Sequence, residues 1–415
     1  MLSDSLYASA FAVKKAKLWK KLSDTQIFAV RHSDSTISYG CVMGQAGQHY
    51  AVVFFLGDSG LASVERIIRE ADQARSLYEQ HELFYSQNCV SVSFVNKSEL
   101  RDREVSEISD YCKANDIHLR GAHAYPHFER CRPPFIPWYL DDETDQRHMQ
   151  EGLNAALDVA GRLERETPEA LGFRKGSPCA HSLPLLTATE NGFVWSFICP
   201  KWPSLPDYPA AVITDELAFA RVNQARTSSG EWACMILLHN QAVIPNGEQL
   251  EENEEPHSAP YFPYALLITR MEDGQILEMT LAYDSEDYVS EFVAAVLKVA
   301  RQYGKPTALR VQDERTYVFL HPIAKALGIR LYREEDIEPL NDALNGYLDH
   351  FYSSDGHATL QDEFDLFIDL LRKDGALCQI PQPLFEQVLD LAERNILPPD
   401  LRRAVQKEDQ RRKMR

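Results

Sequence analysis

Several features that mark common protein classes are missing from this chain of 415 residues. Its eight cysteines form no C-x-x-C pair, which indicates reduced thiols in a reducing compartment. Apolar runs such as 51–56 are far shorter than the roughly 18 residues of a membrane span. The segment 1–22 lacks the basic-then-apolar order of a signal peptide. We therefore expect a cytoplasmic protein without membrane contacts.

Nucleotide-binding and hydrolase motifs are also missing. The sequence contains neither G-x-x-x-x-G-K-[ST] nor a G-x-G-x-x-G that opens a helix, so the glycines between residues 40 and 60 are expected to form tight turns. No G-x-S-x-G is present, and the 13 scattered histidines do not define a nucleophilic triad. None of these enzyme classes is predicted.

The formal net charge of −19 makes the protein acidic and repels nucleic acid from the molecule as a whole. The exception is the C-terminal segment 401–415, which has seven basic and two acidic residues. Such a tail binds phosphate weakly or forms a solvated terminal helix, and we favour the helix. A protein partner therefore remains possible, whereas nucleic acid is expected to bind only weakly, through this tail.

Three regions follow from the order of hydrophobic patterns and from a linker rich in Pro and Gly at 166–179. Residues 1–170 are expected to form an N-terminal α+β domain. Residues 180–355 are expected to form a second domain with strands and flanking helices. Residues 356–415 are expected to form a helical tail with a basic end.

His123, His127 and Cys131 are spaced four residues apart, so on a helix they would share one face and could bind zinc. Pro126 and Pro133 argue against a helix at this position. A fourth ligand is also not evident. The alternative that we favour is a pair of histidines in a surface loop.

The most regular pattern in the chain runs from residue 232 to residue 352. A buried strand at 232–239 is followed by a hairpin at 264–281, and then helices alternate with short strands at 308–312 and 329–332. Alternation of this kind requires parallel strands that are connected by crossover helices.

This order of elements resembles the ribonuclease H-like fold, including integrase cores. The resemblance implies a mixed sheet with flanking helices, and it places Asp313 where such enzymes carry a metal-binding carboxylate at a strand end. Two-metal chemistry needs several converging carboxylates. Glu334 and Glu335 are the other candidates, whereas the first strand contains no Asp or Glu. Alternatively, Asp313 caps the helix that follows it, and we favour this role.

The segment from about Leu18 to Phe351 also resembles a bacterial family of two-module proteins. The resemblance rests on Leu56-Gly-Asp-Ser-Gly-Leu in the first module and on Arg310-Val-Gln-Asp-Glu-Arg in the second. It implies no established activity.

Two hypotheses follow. The first, which we favour, is a non-catalytic interaction or regulatory protein on a degenerate ribonuclease H-like domain, without a cofactor. The second is a metal-dependent nuclease or phosphotransferase that uses Mg²⁺ bound by Asp313 with Glu334 or Glu335.

Overall fold

The computed structural model contains two β-sheets with flanking helices and is a mixed α+β protein, as expected. It describes residues 2–47, 49–70, 77–190, 192–203, 208–224, 230–245, 256, 258–283, 288–354, 385, 388–389 and 399–413. Among these residues, no helix is long and apolar enough to cross a membrane.

The first sheet has seven strands in the order β5-β4-β3-β2-β1-β6-β7. Its strands are β1 (Phe28–Arg31), β2 (Ile37–Met43), β3 (Tyr50–Leu56), β4 (Cys89–Val95), β5 (Tyr125–Cys131), β6 (Leu183–Thr189) and β7 (Gly192–Ile198). All neighbouring strands are antiparallel except β1 and β6, which are parallel.

Helices cover both faces of this sheet. They are α1 (Asp4–Ala16), α2 (Gly57–Glu70), α4 (Asp102–Ala114) and α5 (Glu143–Arg162), and a further helix of this domain is α3 (Leu77–Tyr85). Along β3, Val52 and Phe54 join the core formed with α1 and α5, whereas Val53 and Phe55 join the core formed with α2. This alternation follows from the two-residue period of a strand, and burial on both faces explains the uninterrupted apolar run of β3.

The hairpin β6–β7 belongs to the first sheet. The sequence boundaries assigned residues from 180 onward to the second domain, but β6 pairs with β1 and contributes Leu183 and Leu186 to the first domain's cores. Both sheets need apolar alternating strands, so the pattern of this hairpin does not indicate which sheet it joins.

The second sheet has five strands in the order β10-β9-β8-β11-β12. Its strands are β8 (Trp232–Leu238), β9 (Tyr264–Arg270), β10 (Ile276–Ala282), β11 (Ala308–Val311) and β12 (Arg330–Arg333). Strand β9 is antiparallel to both β8 and β10, whereas β11 is parallel to both β8 and β12. The alternation of short strands and helices predicted this parallel arrangement correctly.

Three helices accompany the second sheet: α6 (Glu216–Asn223), α7 (Tyr288–Tyr303) and α8 (Glu314–Leu327). Side chains from α7 and α8 share one core with residues of β8, including Trp232, Cys234 and Ile236. Helix α8 ends at Gly328, whose φ of 65° is a left-handed conformation that glycine adopts without a Cβ penalty.

A second compact unit comprises residues 273–275 and 338–415. It contains α9 (Glu338–Ser354) and α10 (Pro399–Lys413). The expected basic tail is thus helical, and Leu401, Val405 and Glu408 of α10 are buried. The helices that the sequence predicts at 360–371 and 384–394 lie almost entirely outside the described residues.

Replacing glycine by alanine should have opposite effects on stability at two positions of α5. A Cβ at Gly152 would lie 2.7 Å from the Phe54 ring, whereas a Cβ at Gly161 would meet no atom within 4 Å. We expect Gly152→Ala to lower the free energy of unfolding by about 1–3 kcal/mol through overpacking. Gly161→Ala should raise it, by at most about 1 kcal/mol. Thermal unfolding of both variants checks this, and equal shifts would contradict the packing assigned to α5.

Candidate functional site

The carboxyl ends of β8 and β11 form the candidate site. These strands are parallel neighbours, so the loops that follow them lie at the same edge of the sheet, where ligands bind in many α/β proteins. The loop after β11 carries Asp313, and the loop after β8 carries His239 and Asn240.

Asp313 is the N-cap of α8. Its Oδ1 accepts a hydrogen bond from the Thr316 backbone N–H at 2.8 Å, and its Oδ2 accepts one from the Thr316 hydroxyl at 2.7 Å. The same hydroxyl accepts a hydrogen bond from the backbone N–H of Ile236 in β8, also at 2.7 Å. Burial raises the pKa of the Asp313 carboxyl, although the hydrogen bonds from Thr316 oppose that shift. The favoured cap role is therefore present in the structure.

Helix α3 of the first domain reaches this edge of the second sheet. The guanidinium of Arg315, in the first turn of α8, donates to the Glu82 carboxylate at 3.0 Å. Both side chains are largely buried, with 13% and 15% of their surfaces exposed. Arg315 also lies over the rings of Tyr208 and Tyr264, at 5.5 and 5.2 Å from their centroids. The positive charge of Arg315, next to Asp313, is therefore already engaged by a carboxylate and two aromatic rings of the same protein.

Aromatic and backbone contacts surround this ion pair. The rings of His81 and Tyr85 lie 4.9 and 4.7 Å from that of Phe262. Nearby chain segments also bond directly: the N–H of Ile136 donates to Pro260 O, and the N–H of Phe262 donates to Pro134 O. Packing and hydrogen bonds therefore join the first domain to the segment that precedes β9.

Glu334 and Glu335 do not join Asp313 in a metal-binding group. The Glu334 carboxylate pairs with Arg310 of β11, and Arg310 also pairs with Glu231. Glu335 is exposed. In the part of the chain that the structure describes, no three His, Cys, Asp or Glu side chains are arranged to hold a metal ion.

His123, His127 and Cys131 lie in and before strand β5 rather than on a helix. His123 bonds to the backbone carbonyl of Phe94, and Cys131 lies opposite Cys89 of β4. His127 contacts the carboxylates of Glu104 and Glu129 at 2.7 and 3.1 Å. Burial alone would lower the pKa of His127, but these carboxylates raise it to about 9. Both ring nitrogens of His127 are therefore engaged by carboxylates.

The structure contains a second polar cluster that was not predicted from the sequence. His32 Nδ1 lies 2.9 Å from the Glu151 carboxylate, and His32 Nε2 lies 2.7 Å from the Ser38 hydroxyl. The His148 ring is 4.5 Å from that of His32 and bonds to Asp34. Burial and His148 lower the pKa of His32 to about 4. In the sequence, only the turn-forming residues His-Ser-Asp-Ser at 32–35 indicate this cluster. Glu151 lies 119 residues from His32, so the contact between them leaves no local pattern.

The contacts of Ser38, His32 and Glu151 resemble those of a nucleophile, a base and an orienting acid. Ser38 is however fully buried, with 0% of its surface exposed, and His32 is 3% exposed. A substrate carbonyl cannot reach the serine oxygen in this conformation. The cluster instead connects the β1–β2 turn to α5, since the N–H of Ser33 also donates to Glu151.

The cap predicts how substitutions at Asp313 and Thr316 affect stability. Thr316→Val leaves the Ile236 N–H and one Asp313 oxygen without partners, and each such buried group costs about 1–3 kcal/mol. Thr316→Ser keeps the hydroxyl and should cost only about 1 kcal/mol. Asp313→Asn keeps the Oδ1 cap but replaces the acceptor of the Thr316 hydroxyl with an NH2 group, so it should lower the unfolding free energy by about 1 kcal/mol. Urea unfolding checks this order, and a Thr316→Val variant as stable as Thr316→Ser would contradict it.

His127 predicts a pH dependence of stability. Its pKa in the folded protein is about 9, above the ordinary value of 6.5, so its stabilisation is complete below about pH 6.5 and is lost as the pH rises through 9. We expect the difference in unfolding free energy between wild type and His127→Gln to shrink by on the order of 2–3 kcal/mol across this range. His118→Gln, at a histidine whose side chain is 77% exposed, is the control. If the difference in unfolding free energy between wild type and His127→Gln did not change with pH, the raised pKa of His127 would be contradicted.

Two family models match the chain. Residues 4–179 match the model described as Domain of unknown function (DUF7309), and residues 219–348 match the one described as Domain of unknown function (DUF6930). Neither the curated proteins nor the solved structures gave a match. Strands β1–β5 lie in the first range and β8–β12 in the second, with the β6–β7 hairpin between them. Neither description mentions ribonuclease H, so that resemblance remains a prediction. The chain thus has two separate regions, 4–179 and 219–348, that match the DUF7309 and DUF6930 models in this order.

Proposed function

We propose that this protein is a non-catalytic interaction or regulatory protein of the bacterial cytoplasm, built on a degenerate ribonuclease H-like domain. The observation that carries the proposal is the use of both Asp313 carboxylate oxygens to cap α8. The carboxylate that the resemblance assigns to metal binding is thereby committed to a structural contact.

The sheet topology supports the scaffold part of the proposal. The three antiparallel strands β10, β9 and β8 are followed, across the sheet, by β11 and β12, which are parallel to β8. Helices α7 and α8 connect β10 to β11 and β11 to β12. This is the element order on which the resemblance rests, and it brings Asp313 to the carboxyl end of the central strands.

The environment of that position supports a non-catalytic role. Two-metal phosphoryl transfer needs converging carboxylates that are available to two ions about 4 Å apart. Glu334 is paired with Arg310, and Arg315 introduces a buried positive charge two residues after Asp313. Glu82 of α3 pairs with Arg315, so the first domain contributes a carboxylate at this end of the second sheet. These contacts favour a closed site.

The partner that we favour is another protein, since the net charge of −19 disfavours nucleic acid. The basic face of α10 is the exception, yet part of its charge is neutralised internally. Arg411 and Arg412 both lie within 4 Å of the buried Glu408. Nucleic acid is therefore expected to bind this helix only weakly.

The alternative function is a metal-dependent nuclease or phosphotransferase that uses Asp313 with Glu334 or Glu335. The position of Asp313, two residues after the end of β11, favours it. This alternative requires the Asp313–Thr316 and Glu334–Arg310 contacts to open, so that the carboxylates can converge on Mg²⁺ or Mn²⁺.

A cleavage assay separates the two functions. Wild type is incubated with Mg²⁺ or Mn²⁺ and with single-stranded, duplex and RNA–DNA hybrid substrates, next to Asp313→Asn and Glu334→Gln. The control is Glu272→Gln, in the turn at the opposite end of the sheet. We expect all four proteins to give the same background, because Thr316 engages both Asp313 oxygens and Arg310 engages the Glu334 carboxylate. Metal-dependent cleavage that Glu272→Gln retains and Asp313→Asn loses would overturn the proposal.

A further inference from the structure

Strand β7 is an edge strand without the usual protection against pairing. Its sequence, Gly-Phe-Val-Trp-Ser-Phe-Ile, contains no charged residue and no proline, and its pairing with β6 has no register shift. Val194 and Phe197 are 58% and 62% exposed. None of the described strands pairs with its outer edge. An uncharged edge of this kind is a template for a further strand.

The other sheet edges are protected. At the β5 edge, Pro126 lies within the strand, and Arg130 exchanges two backbone hydrogen bonds with Trp138. Strand β10 has a register shift between Ile276 and Glu278. Strand β12 is only four residues long, with an arginine at each end. Bulges, charges, short length and coverage all discourage edge pairing. Strand β7 is the one edge of the two sheets without any of these features among the described residues.

The β7 surface is held in place by α5. The Trp195 indole N–H donates to the Asp158 carboxylate at 2.5 Å, and the Arg162 guanidinium lies 4.2 Å from the Trp195 ring centroid. Trp195 and Phe193 also pack against the core of the first domain. A partner strand would therefore meet side chains that are already ordered, which lowers the entropic cost of association.

The strand is complementary to itself. In an antiparallel pair of two β7 strands around a two-fold axis at Ser196, Val194 faces Ile198 of the partner subunit and Trp195 faces Phe197 of the partner subunit. Each pairing occurs twice by symmetry, and the two members of every pair lie on the same face of the sheet. Cross-strand pairs of aromatic and β-branched residues stabilise a sheet, and no like charges oppose one another here.

Neighbouring registers are less favourable. With the axis at Trp195, Val194 faces a serine, and with the axis at Phe197 it faces Pro200, which cannot donate a hydrogen bond. With the axis at Val194, the exposed Glu190 faces Ile198. The composition of β7 therefore selects the register that is centred on Ser196.

We propose that this protein forms a homodimer in which two copies of β7 pair antiparallel at Ser196, so that the first sheet continues from one subunit into the other. A second copy suits this edge better than a charged peptide, because β7 offers no charge to recognise. The net charge of −19 on each subunit opposes association, so the dimer should be weak and should strengthen as salt screens the repulsion. We expect a Kd on the order of micromolar for so small a contact.

Sedimentation velocity of the full chain with Ser196 variants tests the dimer. Wild type should shift from monomer to dimer as its concentration rises, and higher salt should favour the dimer. Ser196→Lys and Ser196→Glu should each be monomeric, because like charges meet at the axis. An equimolar mixture of the two variants should regain the dimer, since a lysine then faces a glutamate. Ser106→Lys, on the exposed face of α4, should behave as wild type.

The mixture keeps the test independent of folding defects, because two misfolded variants would not restore each other. A wild type that is monomeric throughout the concentration series, a charged variant that dimerises alone, or a mixture that stays monomeric would each overturn the proposal. The dimer does not depend on whether the second domain is catalytic, so the two proposals stand or fall separately.

Discussion

The arrangement of the second domain depends on one buried hydroxyl group, that of Thr316. It donates to Asp313 and accepts from the Ile236 N–H, and so it fixes the first turn of α8 to the central strand β8. The position of this turn sets the direction of Arg315, which in turn meets Glu82 from the first domain. One threonine thus links the helix cap, the sheet and the contact with α3. Because each of these groups is shielded from water, loss of the hydroxyl would leave several polar atoms without partners.

Both domains contain polar groups in arrangements that catalysis could use, and both arrangements are closed. In the first domain, Ser38 and His32 have suitable contacts but no exposure. In the second, Asp313 lies at a suitable strand end, but its oxygens are bonded to Thr316. In both domains these groups are engaged by other parts of the protein. The uncharged edge of β7 is exposed instead, with Val194 and Phe197 in contact with solvent, and this is the surface that we propose for association.

The order of elements in the second domain was predictable because each is specified locally. The helix α7 has apolar residues at helical spacing, Gly328 ends α8, and an aspartate directly before a helix is a frequent N-cap. Parallel pairing of β11 follows from strand–helix alternation alone. The cap role of Asp313 was therefore one of two alternatives from sequence, and its hydrogen bonds show that the cap is formed. The location of hairpin β6–β7 was not predictable, since an alternating apolar pattern fits either sheet.

The amino-acid sequence by itself determined the local structure: the strands, the helix ends, the mixed α+β class and the presence of two modules. These depend on side-chain periodicity and on residues close together in the chain. Tertiary structure alone decided which groups meet. Glu82 and Arg315 are 233 residues apart, and His32 and Glu151 are 119 residues apart, so neither pairing leaves a local pattern. It also decided exposure, because packing buries Ser38 and leaves Phe197 in contact with solvent.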